Sequence, residues 1–176
     1  MTMKISACKA ACWWQALALT LGMTPAGSAQ AAQNLGTFHN WSAQSFKVQG
    51  KLVCSMWSQP KSAAGKYTRR GDIFVWVTHR PKDKTRNRLS FEMGYPIKPG
   101  TQLNVRIDDT NYALPAQNST AWSTDKNIDK RMVAAMRAGN EMEVKGVSKR
   151  GTNTRDVYSL KGFTAAHKAI NKACGV

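Results

Sequence analysis

The stretch RGTNTRDVYSLKGFTAAHKAINKAC, residues 150–174, decides the fold of this chain. It opens with a Gly-Thr-Asn turn and continues into an alternating run over residues 154–160, which predicts a β-strand. A Lys-Gly pair interrupts that strand, and Phe163, Ala166 and Ile170 then follow at the spacing of one helix face. A strand, a turn and a short amphipathic helix therefore close the chain, and the helix is expected to cover an edge or an open end of a sheet.

Short runs of alternating hydrophobicity, separated by turns at nearly regular spacing, fill the chain upstream of this stretch. Leu103, Val105 and Ile107, for example, alternate with polar neighbours. Apolar residues at helical spacing predict a helix over residues 127–138, in addition to the closing helix over residues 163–173. Because no strand–helix–strand rhythm is present, the pattern predicts an antiparallel β-sandwich of roughly eight strands with two short helices.

Two upstream segments carry specific expectations about burial. The run DIFVWVT at residues 72–78 has five consecutive apolar residues, which predicts a strand that is covered on both faces and central in the sandwich. Residues 58–71 contain Gly, Pro and several basic side chains and are predicted to form a loop. The residues expected to be largely buried are Trp41, Val53, Phe74, Trp76, Phe91, Val105, Met132, Val144, Leu160 and Phe163.

The beginning of the chain has the three parts of a secretory signal peptide. Lys4 and Lys9 are basic, an apolar segment follows, and Ala-Gln-Ala at residues 29–31 fits the rule for signal peptidase cleavage. The apolar segment is too short and too interrupted for a membrane span. We therefore predict that residues 1–31 are a cleaved Sec signal peptide, that residues 32–176 form a single domain, and that the mature protein lies in the periplasm or associates with the outer membrane.

Removal of this signal peptide would leave two of the four cysteines, Cys54 and Cys174. An even number of cysteines in an exported chain predicts a disulfide, with two free buried thiols as the alternative. A bridge across so long a segment would stabilise the fold by about 4 to 5 kcal/mol in the chain-entropy description.

The charge of the chain is its most unusual feature. The 26 Lys and Arg residues outnumber the 10 Asp and Glu residues, which gives a formal net charge of +16. Two segments, residues 61–70 and 79–88, concentrate this charge, and we hypothesise that they form a common basic surface that binds anions. The candidate anion-binding residues are Lys61, Lys66, Arg69, Arg70, Arg80, Lys82, Lys84, Arg86 and Arg88.

Three interpretations of the charge compete. It can serve solubility alone, as a solvated face. It can bind an anionic polymer of the envelope or of a host surface, such as lipopolysaccharide phosphates, acidic glycans or anionic lipid head groups, or a protein partner. Binding to nucleic acid is disfavoured, because an exported protein rarely meets it and the sequence shows neither a recognition helix nor an aromatic platform.

Residues suited to catalysis or metal binding are sparse. His39, His79 and His167 fall in separate segments without metal-ligand spacing, and His167 is expected on the surface. No nucleophile motif is present, so no catalytic residue, metal ligand or cofactor is predicted. A periplasmic hydrolase remains the alternative, and it would have to assemble surface carboxylates in space, from Asp108, Asp109, Asp156 and Glu141.

Several motifs together resemble one protein family. These are SMWSQPK at residues 55–61, GYPIKPG at 94–100, AW at 121–122, VAAMRAGNEMEVKG at 133–146 and RGTNTRDVYSLKGFTAA at 150–166. In this order they are similar to the invasion-associated locus B family of exported bacterial proteins, over nearly the whole predicted mature chain. The resemblance implies an immunoglobulin-like β-sandwich, export across the inner membrane, and an association with host-cell entry in the member that named the family. A non-enzymatic role is predicted separately, because the sequence shows no constellation of nucleophile, base and orienting group.

Overall fold

The structure is a computed structural model, and it describes residues 32–176. The predicted signal peptide at residues 1–31 lies outside the described residues. The strands are β1 (Gln33–Phe38), β2 (Trp41–Val48), β3 (Lys51–Ser58), β4 (Ser62–Gly65), β5 (Phe74–Arg80), β6 (Thr85–Glu92), β7 (Gln102–Ile107), β8 (Thr110–Gln117), β9 (Thr120–Trp122), β10 (Glu141–Val147) and β11 (Asn153–Ser159). The helices are α1 (Lys126–Ala138) and α2 (Phe163–Cys174), and a 3₁₀ turn spans Pro81–Asp83.

Within residues 32–176 the eleven strands pair antiparallel in the order β1-β2-β3-β5-β6-β9-β8-β7-β10-β11-β4. Strand β8 joins the two halves of this sheet, because its first part pairs with β7 and its last two residues, Ala116 and Gln117, pair with β9. The sheet therefore folds over on itself at β8. The predicted mainly β, antiparallel sandwich with two helices, one of them C-terminal, is confirmed.

The core lies between the two halves of the sheet. Strand β7 shows how the sequence encodes it, because Leu103, Val105 and Ile107 are buried while the intervening residues are exposed. This alternation is typical of an antiparallel sheet with one face on the core and one face in water. The largest side chains that are fully buried include Trp41, Phe91 and Tyr158.

Helix α2 closes one end of the sandwich, where it packs on β1, β2 and β3. Its first residue, Phe163, meets Trp41 edge-to-face, with 4.8 Å between the ring centroids. Gly162 begins the helix at φ +96°, and a Cβ there would lie 1.8 Å from the carbonyl oxygen of Phe38. Only glycine therefore allows the helix to start this close to the β1–β2 turn.

The predicted disulfide is confirmed. Cys54 of β3 is bonded to Cys174, the last residue of α2, across a separation of 120 residues. The bridge ties the C-terminus of the chain to the centre of the sheet. It thereby holds α2 against the end of the sandwich that this helix closes.

The predicted burial of β5 on both faces is wrong. Val75 and Val77 are fully buried, but Phe74 and Trp76 point to the outer face of the sheet and are only half-buried. The indole of Trp76 packs against Trp57 at 5.3 Å and against Phe74 at 5.5 Å, between ring centroids. These aromatic rings shield one another from water on the outer face. The continuous apolar run of β5 therefore does not require a second layer of the protein to cover that face.

The prediction that residues 58–71 form only a loop is also wrong. Strand β4 lies inside this segment and pairs with β11 at the edge of the sheet, from Ser62 opposite Val157 to Gly65 opposite Thr154. All four of its residues are exposed. Because neither face of β4 is buried, its sequence carries no alternation by which it could have been recognised.

Candidate anion-binding pocket

The two basic segments lie at opposite ends of β5. Residues 61–70 precede Phe74, and residues 79–88 begin as the strand ends at Arg80. At about 3.3 Å per residue, the seven residues of β5 separate them by roughly 23 Å. The structure therefore places Lys66, Arg69 and Arg70 at one end of the sandwich, which we call the loop end. The residues placed at the opposite end, which we call the helix end, are Arg80, Lys82, Lys84, Arg86 and Arg88.

Three of the nine candidate cations form ion pairs with carboxylates, and two of them, Lys61 and Arg88, lie outside the cavity at the loop end. Lys61 forms an ion pair with Glu141 at 2.6 Å, between Nζ and Oε2. Arg88 lies 3.6 Å from a carboxylate oxygen of the buried Asp129 and donates a hydrogen bond to the carbonyl oxygen of Ser123 at 3.0 Å. Both side chains therefore have local partners and are less available to a ligand.

A cavity of about 1240 Å³ lies at the loop end. Three segments form its walls: residues 66–71, the turn at residues 94–96, and the β10–β11 turn around residues 148–152. Four exposed cations line it, namely Lys66, Arg69, Lys149 and Arg150. Among the described residues, no Asp or Glu lines this cavity and none of the four cations forms an ion pair.

The first wall is held in place by direct contact between two glycines. The N–H of Gly71 donates to the carbonyl oxygen of Gly94 at 2.8 Å. Gly94 has φ +68°, and a Cβ on it would lie 2.3 Å from the carbonyl oxygen of Gly71. This close approach fixes the basic loop against the turn that follows β6.

The β10–β11 turn forms the facing wall. The N–H of Lys149 donates to the carbonyl oxygen of Pro96 at 2.7 Å. Inside the turn, the N–H of Gly151 donates to the carbonyl oxygen of Ser148 at 2.8 Å, and the N–H of Thr152 donates to Ser148 Oγ at 3.1 Å. The turn is therefore ordered by its own backbone, and the side chains of Lys149 and Arg150 are left free.

Arg70 forms the floor of the pocket and does not extend into solvent. Its two terminal nitrogens donate to both carboxylate oxygens of Asp156 at 2.6 Å, and its Nε donates to the carbonyl oxygen of Met93 at 2.8 Å. The Arg70 side chain is 3 % exposed and that of Asp156 is fully buried. Burial by itself lowers the pKa of Arg70, but hydrogen bonds and the charge of Asp156 raise it above its usual value, so the guanidinium stays charged.

Two tyrosines enclose this buried pair. The Arg70 guanidinium lies over the rings of Tyr95 and Tyr67, at 4.9 Å and 5.5 Å from their centroids. Such contacts with an aromatic face stabilise a desolvated cation. Tyr95 shares a 2.6 Å hydrogen bond with Thr154, and burial raises its pKa, so the phenol remains protonated.

The arrangement suits an anionic ligand. The floor is an ion pair without net charge, and the four exposed cations around it have no carboxylate partner in the described part of the chain. Lys and Arg side chains of this kind bind phosphate, sulfate and carboxylate groups through charge-assisted hydrogen bonds. Sequence reasoning identified Lys66 and Arg69 but missed Lys149 and Arg150, and the only signal for them was a basic pair directly before the Gly151 turn.

The carboxylates considered for a hydrolase are engaged elsewhere. Asp108 Oδ1 accepts hydrogen bonds from the backbone N–H groups of Asn140 and Glu141. Asp156 is paired with Arg70, Glu141 with Lys61, and neither of these nor Asp109 lines the pocket. Among residues 32–176, no three His, Cys, Asp or Glu side chains are grouped so that they could hold a metal ion.

Comparison with known proteins places the chain in a family. The model of the invasion associated locus B (IalB) protein family matches residues 41–171. The chain belongs to the IalB family. The match covers nearly all of the described part, from the first buried tryptophan to the last turn of α2, so the fold and the loop-end pocket both lie within the family region.

A solved structure supports the fold of this IalB family member. The crystal structure of invasion associated protein b from Bartonella henselae is similar to the chain, with a TM-score of 0.54 and 18% sequence identity. The similarity covers 78% of this chain and 95% of the other. No curated protein sequence matches the chain. Of the described helices, neither is long and apolar enough to cross a membrane.

Proposed function

We propose that this IalB family member is an exported, non-enzymatic binding protein of the cell envelope, in the periplasm or at the outer membrane. Its proposed ligand is an anionic polymer of the envelope or of a host surface, bound at the loop-end pocket. The observation that carries the proposal is the group of four cations, Lys66, Arg69, Lys149 and Arg150, around one cavity without a carboxylate partner in the described residues. A role in host-cell interaction would follow from such binding.

The floor of the pocket supports this function over mere solubility. A cluster of charges kept only for solubility needs no fixed geometry. Here the cations lie on two segments that are each hydrogen-bonded to the same turn, through Gly71 to Gly94 and through Lys149 to Pro96. The Arg70–Asp156 ion pair lies beneath them and orders the floor. Such pre-organisation lowers the entropy that a binding site loses when it takes up a ligand.

Retention on immobilised heparin and binding to lipopolysaccharide, each at rising salt, test the proposal. The pocket variant replaces the four cations by Gln: Lys66→Gln, Arg69→Gln, Lys149→Gln and Arg150→Gln. The matched control removes the same charge from exposed positions outside the pocket: Lys47→Gln, Arg131→Gln, Lys168→Gln and Lys172→Gln.

The proposal expects the wild type and the control to bind, and the pocket variant to lose at least about tenfold in affinity, which corresponds to roughly 1.4 kcal/mol. Binding should also weaken as salt rises, because exposed charges are screened over about 8 Å at physiological ionic strength. Equal losses in the pocket variant and in the control would show that net charge alone attracts the polymer, and the pocket would then have no binding role.

A further inference from the structure

A second basic cavity lies at the helix end, between the helices and the start of β6. It has a volume of about 570 Å³. Five cations line it: Lys84 from the β5–β6 connection, Arg86 from the start of β6, and Lys126, Lys130 and Arg137 from α1. Within residues 32–176 none of the five forms an ion pair, and no Asp or Glu lines the cavity. We call it the helix cleft.

Helix α1 presents its cations to the helix cleft from one face. Lys126 and Lys130 are one turn apart, and Arg137 follows two turns further on. Like charges at this spacing repel each other and destabilise a helix. Lys126 also lies in the first turn, where the helix dipole disfavours a positive charge. The chain thus places two lysines where local helix energetics oppose them, and such conflicts are expected where a sequence serves a function.

The wall opposite α1 is rigid, because four residues form a closed ring of hydrogen bonds that includes one backbone N–H. The backbone N–H of Asn87 donates to Nδ1 of His79 at 3.0 Å, so the His79 proton resides on Nε2, which donates to Oδ1 of Asn171 at 2.8 Å. The amide of Asn171 donates to Nδ1 of His167 at 3.4 Å, and Nε2 of His167 donates to Oδ1 of Asn87 at 2.8 Å.

This ring corrects the expectation that His167 lies on the surface, because the residue is only 4 % exposed. The ring connects α2 to the β5–β6 hairpin, beside the Cys54–Cys174 bridge. His167, Asn171 and Asn87 also line the helix cleft, so neutral hydrogen-bonding groups face a rim of positive charge. The cavity therefore combines two chemistries, one for anions and one for hydroxyl groups.

We propose that the helix cleft binds a sugar or cyclitol that carries two or more phosphate groups. Its volume is within the range of sites for small organic molecules and is too large for a single ion. Five cations without carboxylate partners suit phosphate monoesters, which carry close to two negative charges each at neutral pH. The side-chain amide N–H groups of Asn87 and the second amide N–H of Asn171 are not used in the ring and suit the hydroxyl groups of the scaffold. This site is separate from the loop-end pocket and does not depend on it.

Isothermal titration calorimetry with inositol hexakisphosphate at physiological salt tests the proposal. The cleft variant carries Lys126→Gln, Lys130→Gln and Arg137→Gln. The control variant carries Arg131→Gln on α1 and Lys168→Gln and Lys172→Gln on α2, which removes the same charge from exposed positions that do not line the cleft. Gln is a good helix former, so all of these variants are expected to fold, and their thermal unfolding is recorded alongside.

The proposal expects binding by the wild type, a loss of at least about tenfold in the cleft variant, and a change under about threefold in the control. The loop-end variant with Lys66, Arg69, Lys149 and Arg150 replaced should bind inositol hexakisphosphate as the wild type does. Equal losses in the cleft and control variants, or binding that appears only at low salt, would overturn the proposal. A loss confined to the loop-end variant would overturn it and leave the proposed function intact.

The phosphorylated sugar could be free or could be the head group of a lipid. Phosphatidylcholine vesicles doped with lipid A, a phosphorylated glycolipid, form the second arm of the experiment. Binding to both probes that is lost in the cleft variant supports the cleft with a lipid source within reach, and binding to the soluble probe alone supports it with a free ligand. Binding to vesicles without binding to the soluble probe would contradict recognition of the phosphorylated ring.

Discussion

Arg70 and Asp156 form a bidentate ion pair beneath the loop-end pocket, with both nitrogen–oxygen distances at 2.6 Å. The two residues come from a basic loop and from a central part of β11, 86 positions apart in the chain. Both side chains are almost completely removed from solvent. The pair therefore links the position of the basic loop to the folding of the sheet.

Removal of one partner should be far more harmful than removal of both. Arg70→Ala would leave the carboxylate of Asp156 buried without compensation, which is expected to lower the free energy of unfolding by about 3–5 kcal/mol. The double variant Arg70→Met with Asp156→Leu should recover most of that loss. Urea denaturation of the three proteins checks this, and a loss under about 1 kcal/mol in Arg70→Ala would show that water already reaches the pair.

Phe163 should anchor helix α2. Its ring is fully buried and packs edge-to-face on Trp41. Phe163→Ala is expected to lower the free energy of unfolding by about 3–5 kcal/mol through loss of burial and formation of a cavity. Lys168→Ala, on the exposed side of the same helix, serves as the control and should change stability by less than about 0.5 kcal/mol. A loss under about 1 kcal/mol for Phe163→Ala would mean that α2 is not firmly docked.

The two histidines in the hydrogen-bond ring at the helix end, His79 and His167, should make the fold sensitive to acid. Burial lowers the pKa of His79 to about 4, and burial together with the charges of His79, Arg137 and Arg86 lowers the pKa of His167 to about 4. In the unfolded chain both would have their usual pKa of 6.5. The stabilisation is therefore complete above pH 6.5 and is lost as the pH falls towards 4.

Denaturation at a series of pH values tests this dependence. In the wild type, stability should fall through that window by on the order of 1 kcal/mol per pH unit for each histidine. In His167→Gln the slope should be shallower by about the slope of one proton, because one of the two imidazoles no longer titrates. A slope equal to that of the wild type in this variant would contradict the lowered pKa of His167.

Asp129 should act in the opposite direction over the same pH range. Burial raises its pKa to about 6, against the hydrogen bond from the N–H of Leu89 and the charge of Arg88. A carboxyl with a raised pKa contributes stability at low pH that is lost as the pH rises through 6. Asp129→Asn keeps an acceptor for the Leu89 N–H and is expected to leave stability at pH 7 unchanged or to raise it by up to about 1 kcal/mol.

The same denaturation series measures this variant. The pH dependence between 3.8 and about 6 should become steeper in Asp129→Asn, by about the slope of one proton, because the opposing titration is removed. A loss above about 2 kcal/mol at pH 7 would contradict the expectation and would show that the ion pair with Arg88 outweighs the burial of the carboxylate.

Much of the fold could be predicted because local periodicity determines it. The alternation of β7, the apolar spacing of α1 and α2, and the pair of cysteines outside the predicted signal peptide each have one simple structural meaning. Strand β5 shows the limit of such reasoning. A run of apolar residues predicts burial on both faces, but Trp76 and Phe74 cover each other on the outer face, and no pattern within the strand distinguishes these cases.

The site could be predicted only in part, because long-range pairing assembles it. Lys66 and Arg69 are conspicuous in a basic loop, but Lys149 and Arg150 join them only because β4 pairs with β11 and carries that loop to the β10–β11 turn. The sequence also cannot show that Arg70, next to Arg69, has its charge buried against Asp156. The register of the edge strand β4, which has no hydrophobic pattern, decides both which cations meet at the pocket and where Arg70 lies.

A nuclear magnetic resonance titration of isotope-labelled protein with a heparin tetrasaccharide tests the central claim most directly. If the loop-end pocket binds anionic polymer, the largest amide shifts will fall in residues 66–71, 94–96 and 148–152, and they will disappear in the variant that lacks Lys66, Arg69, Lys149 and Arg150. Saturable binding that leaves those three segments unshifted would contradict the account.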